Sequence, residues 1–260
     1  MWKAAVTAAR LVLLAACLQP LPAAAADGPC REQAFEGARY TVCSFDPAEA
    51  DIRMFWRDAE GEPYRAFPAL VAALADDGLT LTFAMNGGMY EDDLSPLGLY
   101  VENGTELAPA NTADVNARPV PNFYKKPNGV FLVSGGRAAI METEAFLRER
   151  PAVDFATQSG PLLVIGGALH PVFIPGSNDL NRRNGVGIDA AGTVHFVISE
   201  AAVNFDTFAR FFRDELGADD ALFFDGGSAP GLYAPNLSRS DWPGHGGFGP
   251  IVGVVVPAAQ

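Results

Sequence analysis

An α+β domain, one large mixed β-sheet with a few covering helices, is the fold class this sequence predicts. Three observations carry the prediction. Short apolar or alternating runs clearly outnumber stretches of helical periodicity. Several of these runs are joined by hairpin-length turns, such as Ser134-Gly135-Gly136 and Asp189-Ala190-Ala191-Gly192. Four runs end in glycine-rich stretches that read F-A-M-N-G-G-M-Y (83–90), T-Q-S-G-P-L-L-V-I (157–165), R-R-N-G-V-G-I-D (182–189) and L-F-F-D-G-G-S-A-P (222–230). No linker, low-complexity tract or fixed-period repeat divides the chain, so a single domain over 27–260 is expected.

The elements follow in order. Lys3 and Arg10 flank an apolar stretch from Leu11 to Leu18, followed by Pro20, Pro22 and the run Ala23 to Ala26. This is the layout of a signal peptide over 1–26, too short for a membrane span of roughly 20 apolar residues. Leu14-Ala15-Ala16-Cys17 also fits a lipoprotein cleavage box with Cys17 as lipid acceptor, but Ala24-x-Ala26 before Asp27 is the cleaner site. Strand patterns then lie near 39–45, 51–56, 79–85, 97–101, 128–134, 137–142, 161–165, 186–189, 193–199, 221–224 and 251–256. Helical spacing is clearest in Pro63–Asp76, where Phe67, Leu70, Val71 and Leu74 share a face. It returns in Phe205–Leu216 behind an N-cap candidate, Asn204, and more briefly in Glu144–Arg150. Segment 231–250, rich in Gly, Pro and aromatics, has no period and reads as a loop over a pocket.

Charge and cysteine content narrow the partners. The formal charge is −13, and removal of Lys3 and Arg10 with the leader takes it to −15. Such a field repels nucleic acid and anionic membrane. Cys30 and Cys43 are the two cysteines left after the leader, and in an oxidising compartment they are expected to form a disulfide, two buried thiols being the alternative. A periplasmic or secreted location follows, with a lipid anchor at Cys17 as the other option. No Cys/His cluster offers a zinc site. No cofactor is expected, although a divalent cation stays open.

Glycines at strand ends let backbone N–H groups approach a ligand without a Cβ in the way. The four stretches together therefore suggest one composite pocket for a polar, anionic ligand, with Asn86, Ser159, Arg183 and Asp225 on one concave surface.

The ordered set N-G-G-M-Y, S-P-L-G-L-Y (95–100), K-P-N-G-V-F (126–131), Q-S-G-P-L-L (158–163), R-N-G-V-G (183–187) and F-D-G-G-S (224–228) resembles the phosphodiester glycosidase family. The resemblance runs from about Cys30 to Val256 and is nearest to the secreted bacterial branch. It implies a secreted α+β domain that hydrolyses a sugar linked through its anomeric carbon to phosphate. The motif positions fall on Asn86, Gly87, Gly88, Lys126, Asn128, Ser159, Gly160, Arg183, Asn184, Asp225, Gly226, Gly227 and Ser228.

That chemistry needs a cation for phosphate, N–H donors to orient it, and a carboxylate to stabilise positive charge at the anomeric carbon or to activate water. Arg183 is the expected phosphate ligand, because its planar fork suits bidentate contact. Arg182 and Lys126 are further cations, each with a plain surface role as the alternative. Asp225, between the apolar Leu222-Phe223-Phe224 and Gly226-Gly227-Ser228, is the expected catalytic carboxylate, against a turn-forming role. Glu200, at the end of an alternating run, is the second carboxylate. The acids Glu91, Asp92 and Asp93 read as a solvated loop or, with Asp225, as a cation site. Two rivals remain: a metal-dependent phosphodiesterase that breaks P–O instead of C–O, and an envelope glycan-binding protein without turnover. His195 reads as structural, His170 has no evident partner, and His245 lies in the 231–250 loop.

Overall fold

The computed structural model describes residues 1–2, 28–244 and 246–259. The leader (beyond its first two residues), Cys17 and His245 lie outside the described residues. In chain order the strands are β1 (Cys30–Phe35), β2 (Ala38–Phe45), β3 (Asp51–Phe55), β4 (Leu79–Asn86), β5 (Tyr100–Glu102), β6 (Thr105–Ala108), β7 (Gly129–Ser134), β8 (Arg137–Glu142) and β9 (Phe155–Ser159). They continue with β10 (Leu162–Ile165), β11 (Ala168–Leu169), β12 (Arg183–Asp189), β13 (Val194–Ser199), β14 (Ala218–Gly226), β15 (Leu232–Ala234), β16 (Arg239–Ser240) and β17 (Ile251–Pro257). The helices are α1 (Phe67–Asp76), α2 (Thr143–Glu149) and α3 (Phe205–Arg210).

The α+β class holds, but the strands divide among three sheets and every ladder between them is antiparallel. A seven-stranded sheet runs β1-β2-β13-β12-β14-β10-β11, and two five-stranded sheets run β16-β15-β4-β17-β3 and β6-β5-β9-β7-β8. Antiparallel neighbours need only short turns, which is the connection the sequence supplies. One apolar core joins all three sheets: Phe196, Val186, Leu222 and Phe224 from the large sheet meet Phe83 and Met85 of β4 and Phe131 of β7. The opposite face of the large sheet is apolar too. There Tyr40, Val42 and Phe223 pack under Phe208, Phe211 and Phe212 of α3 and the π-helical turn that extends it. Sequence periodicity alone could not distinguish these two buried faces.

Local signals account for the helix ends. The Asn204 side chain accepts the Thr207 N–H at 2.8 Å and caps α3 as expected. Pro68 sits in the first turn of α1, where its missing N–H costs nothing, and the helix starts at Phe67, four residues after Pro63. Cys30 and Cys43 are opposite one another in the β1–β2 ladder and are disulfide-bonded, with Cα atoms 4.0 Å apart. The 231–250 segment is not wholly irregular: β15 pairs with β4, and β16 pairs with β15.

Two glycines that read as turn markers lie inside β12. A Cβ on Gly185 would collide with the Leu222 carbonyl oxygen, and one on Gly187 with the Phe212 ring. Both let neighbouring elements close on the strand, so β12 begins at Arg183, earlier than the apolar run at 186–189 indicates.

Candidate active site

The site is built where β14 ends. Asp225 pairs with Asn184 and Gly226 with Arg183, but the register shifts between Asn184 and Gly185, so Phe224 is an extra residue opposite β12. Such a bulge bends the strand end and re-aims its side chains. Ser159 holds the bulge in place: its hydroxyl donates to the Phe224 carbonyl at 2.8 Å.

Asn184 and Asn86, both fully buried, tie the strands together. The Asn184 amide nitrogen donates to Asn86 Oδ1 at 2.8 Å, and Asn184 Oδ1 accepts the Asp225 N–H at 3.0 Å. Asn86 Oδ1 also accepts the Gly231 N–H at 3.0 Å. Asn86 Nδ2 is buried without a partner among the described residues, so one donor of this pair is uncommitted. Gly88, at φ 134°, brings the turn after β4 against β9; a Cβ there would lie 2.6 Å from Thr157 Oγ1. Gly87 and Gly160 serve close approach in the same way, against Val252 and Asn128. Gly227 donates to the Arg182 carbonyl at 3.0 Å and fixes the turn at φ 70°, while Ser228 follows, exposed.

Asp225 is partly exposed at the surface, yet its carboxyl sits deep enough that burial pushes its pKa up to about 7. The Gly226 N–H, 2.7 Å from Oδ1, opposes the rise without cancelling it. Tyr90 lies near enough that the Asp225 charge, after burial, helps to push the phenol up to about 12. Beside Tyr90 is a cavity of about 310 Å³ lined by Glu91, Asp92, Leu94 and Gly246. Asn86, Asn184 and the Asp225 backbone are therefore linked by hydrogen bonds, and Ser159 adjoins them through the Phe224 carbonyl, so residues of all four glycine-rich stretches meet here.

Arg183 does not join it, and its expected role as phosphate ligand is corrected. Strand alternation sends its side chain to the opposite face from Asn184. There the guanidinium carbon lies 3.6 Å from the Phe205 ring centroid; Nε donates to the Val203 carbonyl at 2.8 Å and Nη2 to the Asp179 carbonyl at 3.0 Å. The Asp179 carboxylate is 3.4 Å away, and burial draws the Arg183 pKa down to about 10. Arg182 is the guanidinium that remains: its carbonyl is bonded to Gly227, and its buried Nε has no partner among the described residues.

Glu200 is likewise reassigned. Its carboxylate accepts from Thr41 at 2.6 Å and is paired with Arg239, which also grips Asp241 at 2.8 Å. Sequence reading offered no signal for this cluster, because Thr41, Glu200 and Arg239 lie on distant segments. Lys126 is bound to the Thr112 carbonyl and Asp114, both at 2.8 Å. Asn128 is buried and donates to the Phe123 carbonyl at 2.9 Å, a loop-holding bond. Asp93 binds the Ser95 N–H at 2.9 Å in a local turn. No group of three or more His, Cys, Asp or Glu that could hold a metal ion occurs among the described residues. His195 is structural, set between Ser44 (2.9 Å) and Asp189 (3.2 Å).

The sequence model of the family described as phosphodiester glycosidase matches residues 80–253. An uncharacterized protein of Escherichia coli (strain K12), YigE, is 36% identical over 216 residues, which are 83% of this chain and 82% of that protein. Among solved structures, the catalytic domain of zebrafish N-acetylglucosamine-1-phosphodiester alpha-N-acetylglucosaminidase, auto-inhibited by its pro-peptide, superposes with TM-score 0.60 at 13% identity, covering 89% of this chain and 82% of that one. A hypothetical protein from Synechocystis gives TM-score 0.55 at 16% identity, covering 87% of this chain and 61% of that one. At these identities the structural likenesses speak to fold alone.

Proposed function

This chain belongs to the phosphodiester glycosidase family, and from that premise we propose that it hydrolyses the anomeric C–O bond of a sugar-1-phosphodiester with Asp225 as proton donor. The observation that carries the reading is the Asp225 carboxyl, which burial pushes up to about 7 and whose charge is felt by Tyr90, a lining residue of the cavity. A carboxyl that keeps its proton near neutrality can give it to a leaving oxygen. The negative charge of a bound diester raises that pKa further, so substrate binding reinforces the protonated form.

In the reaction the bond between the anomeric carbon and the bridging oxygen breaks. Asp225 protonates the departing phosphate monoester, water adds to the anomeric carbon, and the proton released by water restores the acid. The sugar occupies the cavity at Tyr90, lined also by Glu91, Asp92, Leu94 and Gly246. Arg182 takes the phosphate in place of Arg183. Export is part of the proposal: the Cys30–Cys43 disulfide suits an oxidising compartment, and among the described residues no helix is long and apolar enough to cross a membrane.

The test is hydrolysis of an N-acetylglucosamine-1-phosphodiester in ¹⁸O-labelled water. Label in the released sugar is expected. Label in phosphate would establish P–O cleavage and overturn the reading, and saturable binding of a substrate panel without turnover would favour the glycan-binding alternative.

A further inference from the structure

On the opposite face of the large sheet from Asp225, the loops around Lys125 and residues 172–179 enclose a cavity of about 480 Å³ that the reaction above does not use. Its lining includes Phe205 and Phe173, stacked with centroids 5.1 Å apart and 7° between planes, and the Arg183 guanidinium also lies against the Phe205 ring at 3.6 Å. Val172 and Ile174 form part of its wall and stand 52% and 68% exposed, an apolar rim with no cover. Size and lining are those of a small-molecule pocket.

The charges in the lining are not evenly matched. Asp179 is paired with Arg183, Asp206 with Arg210 at 2.9 Å, and Lys126 with Asp114. Lys125 differs: its Nζ lies 5.0 Å from the Phe205 centroid and donates at 2.7 Å to Asn122 Oδ1, an uncharged amide, while the Asp179 carboxylate, paired with Arg183, acts on it only through space. A half-buried ammonium hydrogen-bonded to a neutral amide, beside aromatic and apolar lining, favours a ligand with one negative charge and an apolar body. In a chain of net charge −13 an ammonium without a contacting carboxylate is the more selective.

We propose that this cavity binds an amphipathic monoanion, its head on Lys125 and its acyl or aryl body along Phe205, Phe173, Val172 and Ile174. The site shares no side chain with the Asp225 cluster, and the proposal stands whether or not the glycosidase reading holds.

The experiment titrates the full protein with decanoate and with decanol, a neutral probe of equal length, by isothermal calorimetry, with methyl resonances of Val172 and Ile174 as a second readout. Wild type should bind decanoate about tenfold more tightly than decanol, with shifts at both methyl sites. Lys125→Met should abolish that preference while leaving decanol affinity unchanged. Ile174→Asp, at an exposed position, should weaken both probes, and Asp225→Asn should change neither. Absence of saturable decanoate binding in wild type would overturn the proposal, as would a preference that persists in Lys125→Met, or methyl shifts that avoid residues 172 and 174. The wild-type titration and the NMR readout decide the matter even where a variant folds poorly.

Discussion

Arg183 and Asn184 are neighbours in the chain and lie on opposite faces of one sheet, and their fates differ accordingly. Asn184 faces the junction of the sheets, where it bonds to Asn86 and the Asp225 N–H. Arg183 faces the helix, where it stacks on Phe205 and binds carbonyls of 179 and 203. One face carries uncommitted polar groups and a carboxyl with a raised pKa; the other turns a charged side chain into part of the packing. A cation next to a glycine-rich motif is thus no guide to which face does chemistry.

Truncation of Arg183 should have the largest effect. Arg183→Ala removes a buried planar group and its bonds and exposes the packing around Phe205, so urea denaturation should show a loss of about 3–4 kcal/mol. A stable variant with selectively weakened binding of the phosphodiester would break the comparison and return Arg183 to the site.

On the other face, Asp225→Asn should lower kcat by about two orders of magnitude, a barrier change of roughly 2.7 kcal/mol, with KM little altered. In wild type, kcat/KM should fall as pH rises through about 7, because the acid of the free enzyme loses its proton there, and kcat should fall at higher pH. A rate that instead rises through that range would make Asp225 a base.

Stability should respond to the same group. Folded Asp225 titrates near 7 and an unfolded aspartate near 3.9, so between those values the folded state binds more protons, and stability falls as pH rises through that window. Relative to wild type, Asp225→Asn should therefore gain about 2 kcal/mol by pH 8, its partial exposure discounted, and nothing at pH 3. Paired thermal melts at the two pH values check this, and equal differences at both would remove the buried-acid account.

The smallest expected effect is at Arg182. Arg182→Gln should raise KM for the diester about tenfold and leave the fold intact, as loss of one charge-assisted contact predicts. Steady-state kinetics decide it; an unchanged KM would leave backbone N–H groups to hold the phosphate.

Much of the candidate site was legible in the sequence because its signals are local. Gly87, Gly88 and Gly160 are required where backbones meet at less than side-chain distance, and Asp225 ends an apolar run, so motif reading located the loops that converge. Glu200 was misread because its partners, Thr41 and Arg239, are 159 and 39 positions away. The split into three sheets was not visible either, since β12, β13 and β14 are apolar on both faces and alternation cannot say which face meets which neighbour.

By itself the sequence determined what short-range physics sets: strand and turn placement, the Asn204 cap, the family and the four segments that meet at the candidate site. Tertiary structure decided the rest. Which of two adjacent arginines is buried depends on the phase of a strand that begins at Arg183, and that phase is fixed by packing of Gly185 and Gly187 against Leu222 and Phe212. The acidity of Asp225 depends on its burial in the assembled fold. Desolvation is a property of the assembled surroundings, and no local pattern of residues encodes it.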